Sequence, residues 1–293
     1  MAGRLPHQAG NVAMNADRPR VEYVEARRAL LDALAALQPH IHAFVLIGAQ
    51  AVYLRTAGRL PGYQPFTTDA DLALDPSRLA DLPLLADAML GAGFDYSGEP
   101  GIWNRVMRRA GFPDDITVPV DLIVPEHVAA KAGRRGARLP GGHGRTAARK
   151  SAGVEGALVD HDLIAIASLE ATDPRRLVVK VAGPAALLVT KAYKLGERLA
   201  TPHRLMSKDA GDVYRLFEAT PLREMVRLME LLLADERSAD ASVLALNFVR
   251  QLFATPRAKG VQLAVEALGI AADIETVTTT VTGYAQDLLA ALQ

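Results

Sequence analysis

The chain has no cysteine, no net charge and no long apolar run, and each absence narrows what it can be. Without cysteine there is no disulfide framework, no thiolate metal site and no thiol nucleophile, which fits a cytosolic setting. Lys and Arg number 33 and Asp and Glu also 33, which argues against coating nucleic acid by bulk electrostatics; any such contact needs a local patch. No stretch reaches the roughly 20 apolar residues of a membrane helix, so no membrane partner is expected. Residues 1–20 mix Gly, Pro, Asn and Arg without the apolar core of a signal peptide and read as a loose tail. No repeat of fixed period is present.

Half of the 293 residues are hydrophobic, enough for one large domain or two modest ones. The periodicity divides them. A helical period over 21–37 is followed by an apolar run, Phe44 to Ile47, that turns through Gly48 into a helix reaching Arg55. Strand signals recur at 67–74, 103–107, 116–124, 158–169 and 177–181, with a helix expected over 78–90 and opened by Pro76 and Ser77. After Gly183-Pro184 the pattern is helical almost throughout: 185–199, 208–219, 222–234, 239–253, 257–268 and a last helix ending near 292. The expected architecture is an α/β (α+β) mixed sheet flanked by helices over 21–182, followed by an all-helical C-terminal domain over 183–293.

The chemistry concentrates in Thr67-Thr68-Asp69-Ala70-Asp71-Leu72-Ala73-Leu74. As a strand, it sends Ala70, Leu72 and Leu74 to one face and Asp69 and Asp71 to the other. Neighbouring carboxylates repel, so the pair makes sense with a cation between them or with one acid protonated. In 117–124 the apolar face is Val118, Val120, Leu122 and Val124, which turns Asp121 the other way by the same device. Pro119 lacks a ladder donor and favours an edge or a bulge.

The order apolar-Gly-small, helix, Thr-Asp-x-Asp-apolar resembles the DNA polymerase beta-like nucleotidyltransferase superfamily. Over residues 40–220 the chain looks most like its abortive-infection toxin branch, the AbiEii type. The resemblance continues with Lys191 on one helix and Lys208-Asp209-Ala210-Gly211-Asp212-Val213-Tyr214 on the next. It implies an Mg²⁺-dependent nucleotidyltransferase that moves a nucleoside monophosphate from an NTP to a hydroxyl, with two Mg²⁺ ions held by Asp69, Asp71 and Asp121. Gly48, Ala49, Thr68, Lys191, Lys194 and Asp209 would bind the nucleotide, Lys191 neutralising phosphate and Asp212 orienting Lys191.

A toxin-like enzyme of this kind implies tRNA 3′ ends as acceptor and a cognate antitoxin as partner; a protein or small-molecule hydroxyl stays open as acceptor. The family usually has Gly or Ser where this chain has Ala49, and a shorter spacer before Asp69. A lapsed enzyme that now serves as a binding module is therefore the other reading.

Residues 127–154 hold Lys131, Arg134, Arg135, Arg138, Arg145, Arg149 and Lys150 and no acid, among scattered Gly and Pro. This is a loop or hairpin, either an arm for RNA or triphosphate or a solvated surface. Its Gly144 to Ser151 portion is no P-loop: Arg149 stands where the second Gly is required, and no buried strand precedes it. His40 and His42 could share a strand face, but without Cys or a His-Glu-x-x-His spacing they make a poor zinc site.

Overall fold

The computed structural model describes residues 19–57, 66–108, 114–130 and 135–293. Among these residues eight strands form one mixed sheet: β1 (Phe44–Ile47), β2 (Ala70–Leu74), β3 (Asp95–Tyr96), β4 (Ile102–Met107), β5 (Ile116–Pro125), β6 (Arg149–Ser151), β7 (His161–Ala167) and β8 (Arg176–Ala182). Their order is β3-β4-β5-β2-β1-β8-β7, with β6 beside β5. β1 is buried at every position because it is central and covered on both faces. It runs antiparallel to β2, which runs parallel to β5. Pro119 lies just outside the β2 ladder, which begins at Val120.

Nine α-helices accompany the sheet in the described residues: α1 (Val21–Ala36), α2 (Gly48–Arg55), α3 (Leu85–Gly91), α4 (Pro184–Glu197), α5 (Ser207–Ala219), α6 (Leu222–Ala234), α7 (Ala239–Phe253), α8 (Lys259–Leu268) and α9 (Ile274–Ala291). The fold is thus a mixed sheet flanked by helices and followed by a helical C-terminal region. Pro184 begins α4 after Gly183, where its missing N–H costs nothing. Leu187, Leu188 and Leu195 give α4 its buried stripe, and the helix packs against α2, α5, α6 and α7. One hydrophobic cluster runs from Leu46 and Leu72 in the sheet through Leu188 to Leu232 and Phe253. α2, which touches β1 and β2 on one side and α4 and α5 on the other, carries that continuity.

The structure departs from the sequence reading in four places. The helix expected over 78–90 is a 3₁₀ turn at Pro76–Arg78, an extended link and then α3. Pro83 is the reason: it lacks an N–H and its ring keeps Leu82 out of the helical region. Asp75 caps the start of the short turn by accepting from the Ser77 N–H at 3.0 Å. The acid strand expected over 67–74 begins only at Ala70, so Asp69 lies just before it. His40 and His42 lie on a 3₁₀ turn, Gln38–Ala43, not on a strand. Leu158 ends another, Glu155–Leu158, and β7 starts only at His161.

Candidate active site

Two acids are set by strand register. Asp71 pairs across β1–β2 with Ile47 and across β2–β5 with Asp121, so two carboxylates stand on adjacent strands where β1 ends. Gly48 follows Ile47 with φ +70°, and a Cβ there would collide with the Asp71 carboxylate. Only glycine fits both the backbone conformation and the close approach.

Asp69 precedes β2 and is held by side chains from α2 and the segment before it. Gln50 donates through Nε2 to the carbonyls of Asp69 at 3.0 Å and Ala26 at 3.1 Å, while its Oε1 accepts from Arg27 Nε at 2.8 Å. Tyr53 donates to the Phe66 carbonyl at 2.8 Å. The Thr67 hydroxyl donates to the Asp69 carboxylate and accepts from Lys208 Nζ at 3.0 Å. A side chain of α5 thereby reaches the acid segment of the sheet.

The second cluster comes from α4 and α5. Lys191 Nζ lies 2.9 Å from Asp209 Oδ1 and 2.6 Å from Asp212 Oδ2, with all three side chains buried. Lys194 Nζ reaches Asp209 Oδ1 at 3.3 Å, and Arg198 Nη1 lies 3.6 Å from Asp209 Oδ2. Steps of three and four residues put these cations on one face of α4. Burial alone would lower the Lys191 pKa, but Asp212 and Asp209 outweigh it and hold the ammonium well above its usual range. Burial would raise Asp209, yet Lys191 and Lys194 keep it well below the usual carboxylate range.

The strand acids behave oppositely. Burial, reinforced by Asp69 and then Asp121, pushes the Asp71 carboxyl up to about 7, with Lys194 and Lys191 opposing. Burial also raises Asp121 against the pull of Arg149, which donates to Asp121 Oδ2 from Nη2 at 2.7 Å and from Nε at 3.1 Å.

Among the described residues, no group of three or more His, Cys, Asp or Glu side chains is arranged as a ready-made metal cage. Thr67 and Arg149 already engage Asp69 and Asp121. The donor chemistry nevertheless suits a hard divalent cation such as Mg²⁺: carboxylate oxygens, with a mutual repulsion at Asp71 that a cation would relieve.

These groups open onto one cleft of about 590 Å³, lined by Gly48, Ala49, Thr68, Asp69, Asp71, Arg149, Lys191, Lys194, Arg198, Lys208 and Asp209 among others. The structure therefore brings together the residues singled out for metal and nucleotide, with Asp121 and Asp212 bonded to cleft residues. It does not bring the basic stretch together. Arg149 faces Asp121, Arg135 donates to Glu99 at 3.0 Å, and Arg138 and Arg145 border a separate surface hollow. Lys150 follows Arg149 on β6 and is half-buried; Lys131 and Arg134 lie outside the described residues.

Sequence reasoning gave no role to Gln50, Thr67 or Lys208, nor to Tyr193, Glu197 and Arg204 on the cleft wall. A glutamine inside an otherwise apolar helix start was the available signal for Gln50. Tyr193 and Glu197 share α4 with Lys194, where helical spacing was the available signal; Thr67, Lys208 and Arg204 come from separate elements, which spacing cannot join.

No family profile and no curated protein matches the chain. Among solved structures, it is similar to one titled an antigenic nucleotidyltransferase-like protein from Paracoccidioides brasiliensis, at 15% identity and a TM-score of 0.44, covering 83% of this chain and 93% of that one. A likeness of that size carries no argument about activity.

Proposed function

We propose that the chain is a metal-dependent nucleotidyltransferase that moves a nucleoside monophosphate from an NTP to a hydroxyl and releases pyrophosphate. The observation that supports this reading is the opposition within one cleft of the acids Asp69 and Asp71, with Asp121 in register beside Asp71, to the cations Lys194, Lys191 and Arg198. Asp69 and Asp71 would hold two Mg²⁺ ions, with Asp121 completing the set. Bound Mg²⁺ supplies charge stabilisation to the incoming and leaving oxygens of an in-line displacement.

The protein's own groups do the positioning. Gly48 and Ala49 present N–H groups at the start of α2 to a phosphate. Lys194, about 44% exposed at its side chain, is the free-reaching cation for phosphate oxygens; Lys191, at 4%, is tied between Asp209 and Asp212 and sets the α4–α5 geometry. Lys208 and Thr67 hold Asp69 in place.

The acceptor in this proposal is the 3′-hydroxyl of an RNA such as tRNA, in keeping with a toxin-like enzyme. For that acceptor, Arg138 and Arg145, which border a surface hollow separate from the cleft, would meet phosphates of the RNA backbone. The test is incubation with each labelled NTP, Mg²⁺ and total tRNA, beside the Asp69→Asn, Asp71→Asn double variant. Label on tRNA with the intact protein alone is the expected result. Label on the protein itself would replace RNA with a protein hydroxyl, and no transfer together with no NTP binding in calorimetry would overturn the enzyme reading.

A further inference from the structure

The Arg149–Asp121 pair has a shape that general charge balance does not require. Arg149 sits on β6, whose parallel ladder to β5 pairs it with Ile123, and a bridge to Gly136 holds the same residue from the other side. Gly101 packs so closely that a Cβ there would strike the Arg149 backbone N and lie 2.7 Å from the Leu122 carbonyl. The backbone under the guanidinium is therefore fixed. The side chain is freer: it is about 29% exposed and lines the cleft, while its partner Asp121 is 17% exposed. Both donated hydrogen bonds fall on the single oxygen Oδ2. A guanidinium is a flat fork that binds phosphate oxygens as readily as a carboxylate.

We infer that Arg149 is a counter-ion lock on Asp121: it occupies Oδ2 and, as an adjacent cation, weakens divalent-cation binding by this carboxylate until an anionic phosphate group in the cleft draws the guanidinium away. The lock rests on the nucleotidyltransferase reading and adds an order to it. The carboxylate trio is incomplete in the resting protein and completes itself only when phosphate is present, which couples metal loading to substrate. Arg149 is here a regulating residue, acting through Asp121.

The test is calorimetric titration of Mn²⁺ into the full chain, wild type beside Arg149→Gln, without and with inorganic sulfate as a phosphate mimic that chelates Mn²⁺ weakly. The lock predicts that Arg149→Gln binds Mn²⁺ about tenfold tighter or more than wild type, because a cation next to the ligand is gone. Sulfate should tighten wild type toward the variant and leave the variant unchanged. In an Asp121→Asn background the same substitution should change the Kd by less than about twofold; a tenfold effect there would mean a general field and overturn the lock. Arg149→Lys, which keeps the charge without the fork, guards against misfolding of the Gln variant and should fall between the two. Equal affinities in wild type and both Arg149 variants would overturn the lock and leave the metal reading standing. No Mn²⁺ binding in any form would overturn both.

Discussion

Asp71 and Asp121 stand in register on the parallel strands β2 and β5, and burial together with Asp69 and Asp121 pushes the Asp71 carboxyl up to about 7. A site that crowds acids in this way stores repulsion in the resting protein, at some cost in stability.

That cost has a sign in pH. With a native pKa of about 7 against an ordinary 3.8, Asp71 binds more protons in the folded than in the unfolded state between those values. Stability from this group therefore falls as pH rises from about 4 to 7, and the full cost is present above that window. Asp71→Asn should flatten this part of the profile and stabilise the metal-free protein at pH 8 by about 1–2 kcal/mol, while abolishing transfer. Urea unfolding of both proteins at pH 5 and pH 8 checks it; superimposable differences would show that Asp71 is not strained.

Gly48→Ala should cost about 1–3 kcal/mol of stability and, by moving the Asp71 carboxylate, about 100-fold or more in transfer rate. The added methyl meets that carboxylate and the φ of +70° disfavours any side chain. Thermal unfolding and single-turnover rates are the measurements, and a variant of unchanged activity would remove Gly48 from the site.

Lys191→Met leaves Asp209 and Asp212 buried without their shared partner and should destabilise by about 3–5 kcal/mol. Lys194→Met removes a more exposed cation that also touches Asp209 and should cost less than about 1 kcal/mol of stability while weakening NTP binding. Denaturation midpoints beside NTP titrations separate the two roles; equal destabilisation by both would contradict them.

Thr67→Val deletes the hydroxyl between Lys208 and Asp69, whereas Thr67→Ser keeps it. The Val variant is expected to lose about tenfold or more in kcat/KM, with the Ser variant near wild type, since an unanchored ligand loses orientation. Steady-state kinetics of the pair decides, and equal activity would show that the bridge does not position Asp69.

If RNA is the acceptor, Arg138→Ala with Arg145→Ala should lower the dependence of log affinity on log salt by about 1.5, from two lost phosphate contacts. Filter binding of tRNA across a salt series reads the slope. An unchanged slope would place the RNA elsewhere or exclude it.

Much of this was legible in order of residues. Alternation in 70–74 and 116–125 set which way Asp71 and Asp121 turn, the Gly48 turn announced a strand-to-helix junction, and the helical period from 184 onward located α4 to α9 closely. These are local properties, carried by a side-chain period of two or 3.6 and by the conformational limits of Gly and Pro. Pro83 carried the same kind of local information, and the strong apolar spacing around it masked it.

What the tertiary structure alone decided is who meets whom. Arg149 stands 28 residues from Asp121 and Lys208 stands 141 from Thr67, yet each pair is in hydrogen-bond contact. Strand order brought β6 beside β5, and the packing of α4 and α5 against α2, the helix that follows β1, brought Lys208 to the acid segment. Composition shows a run of basic residues in 127–154, but one of them, Arg149, faces inward to neutralise a carboxylate. The reason is physical: strand pairing and helix packing are satisfied by burying apolar area and pairing backbone groups, and the charges are carried to wherever that packing sets them.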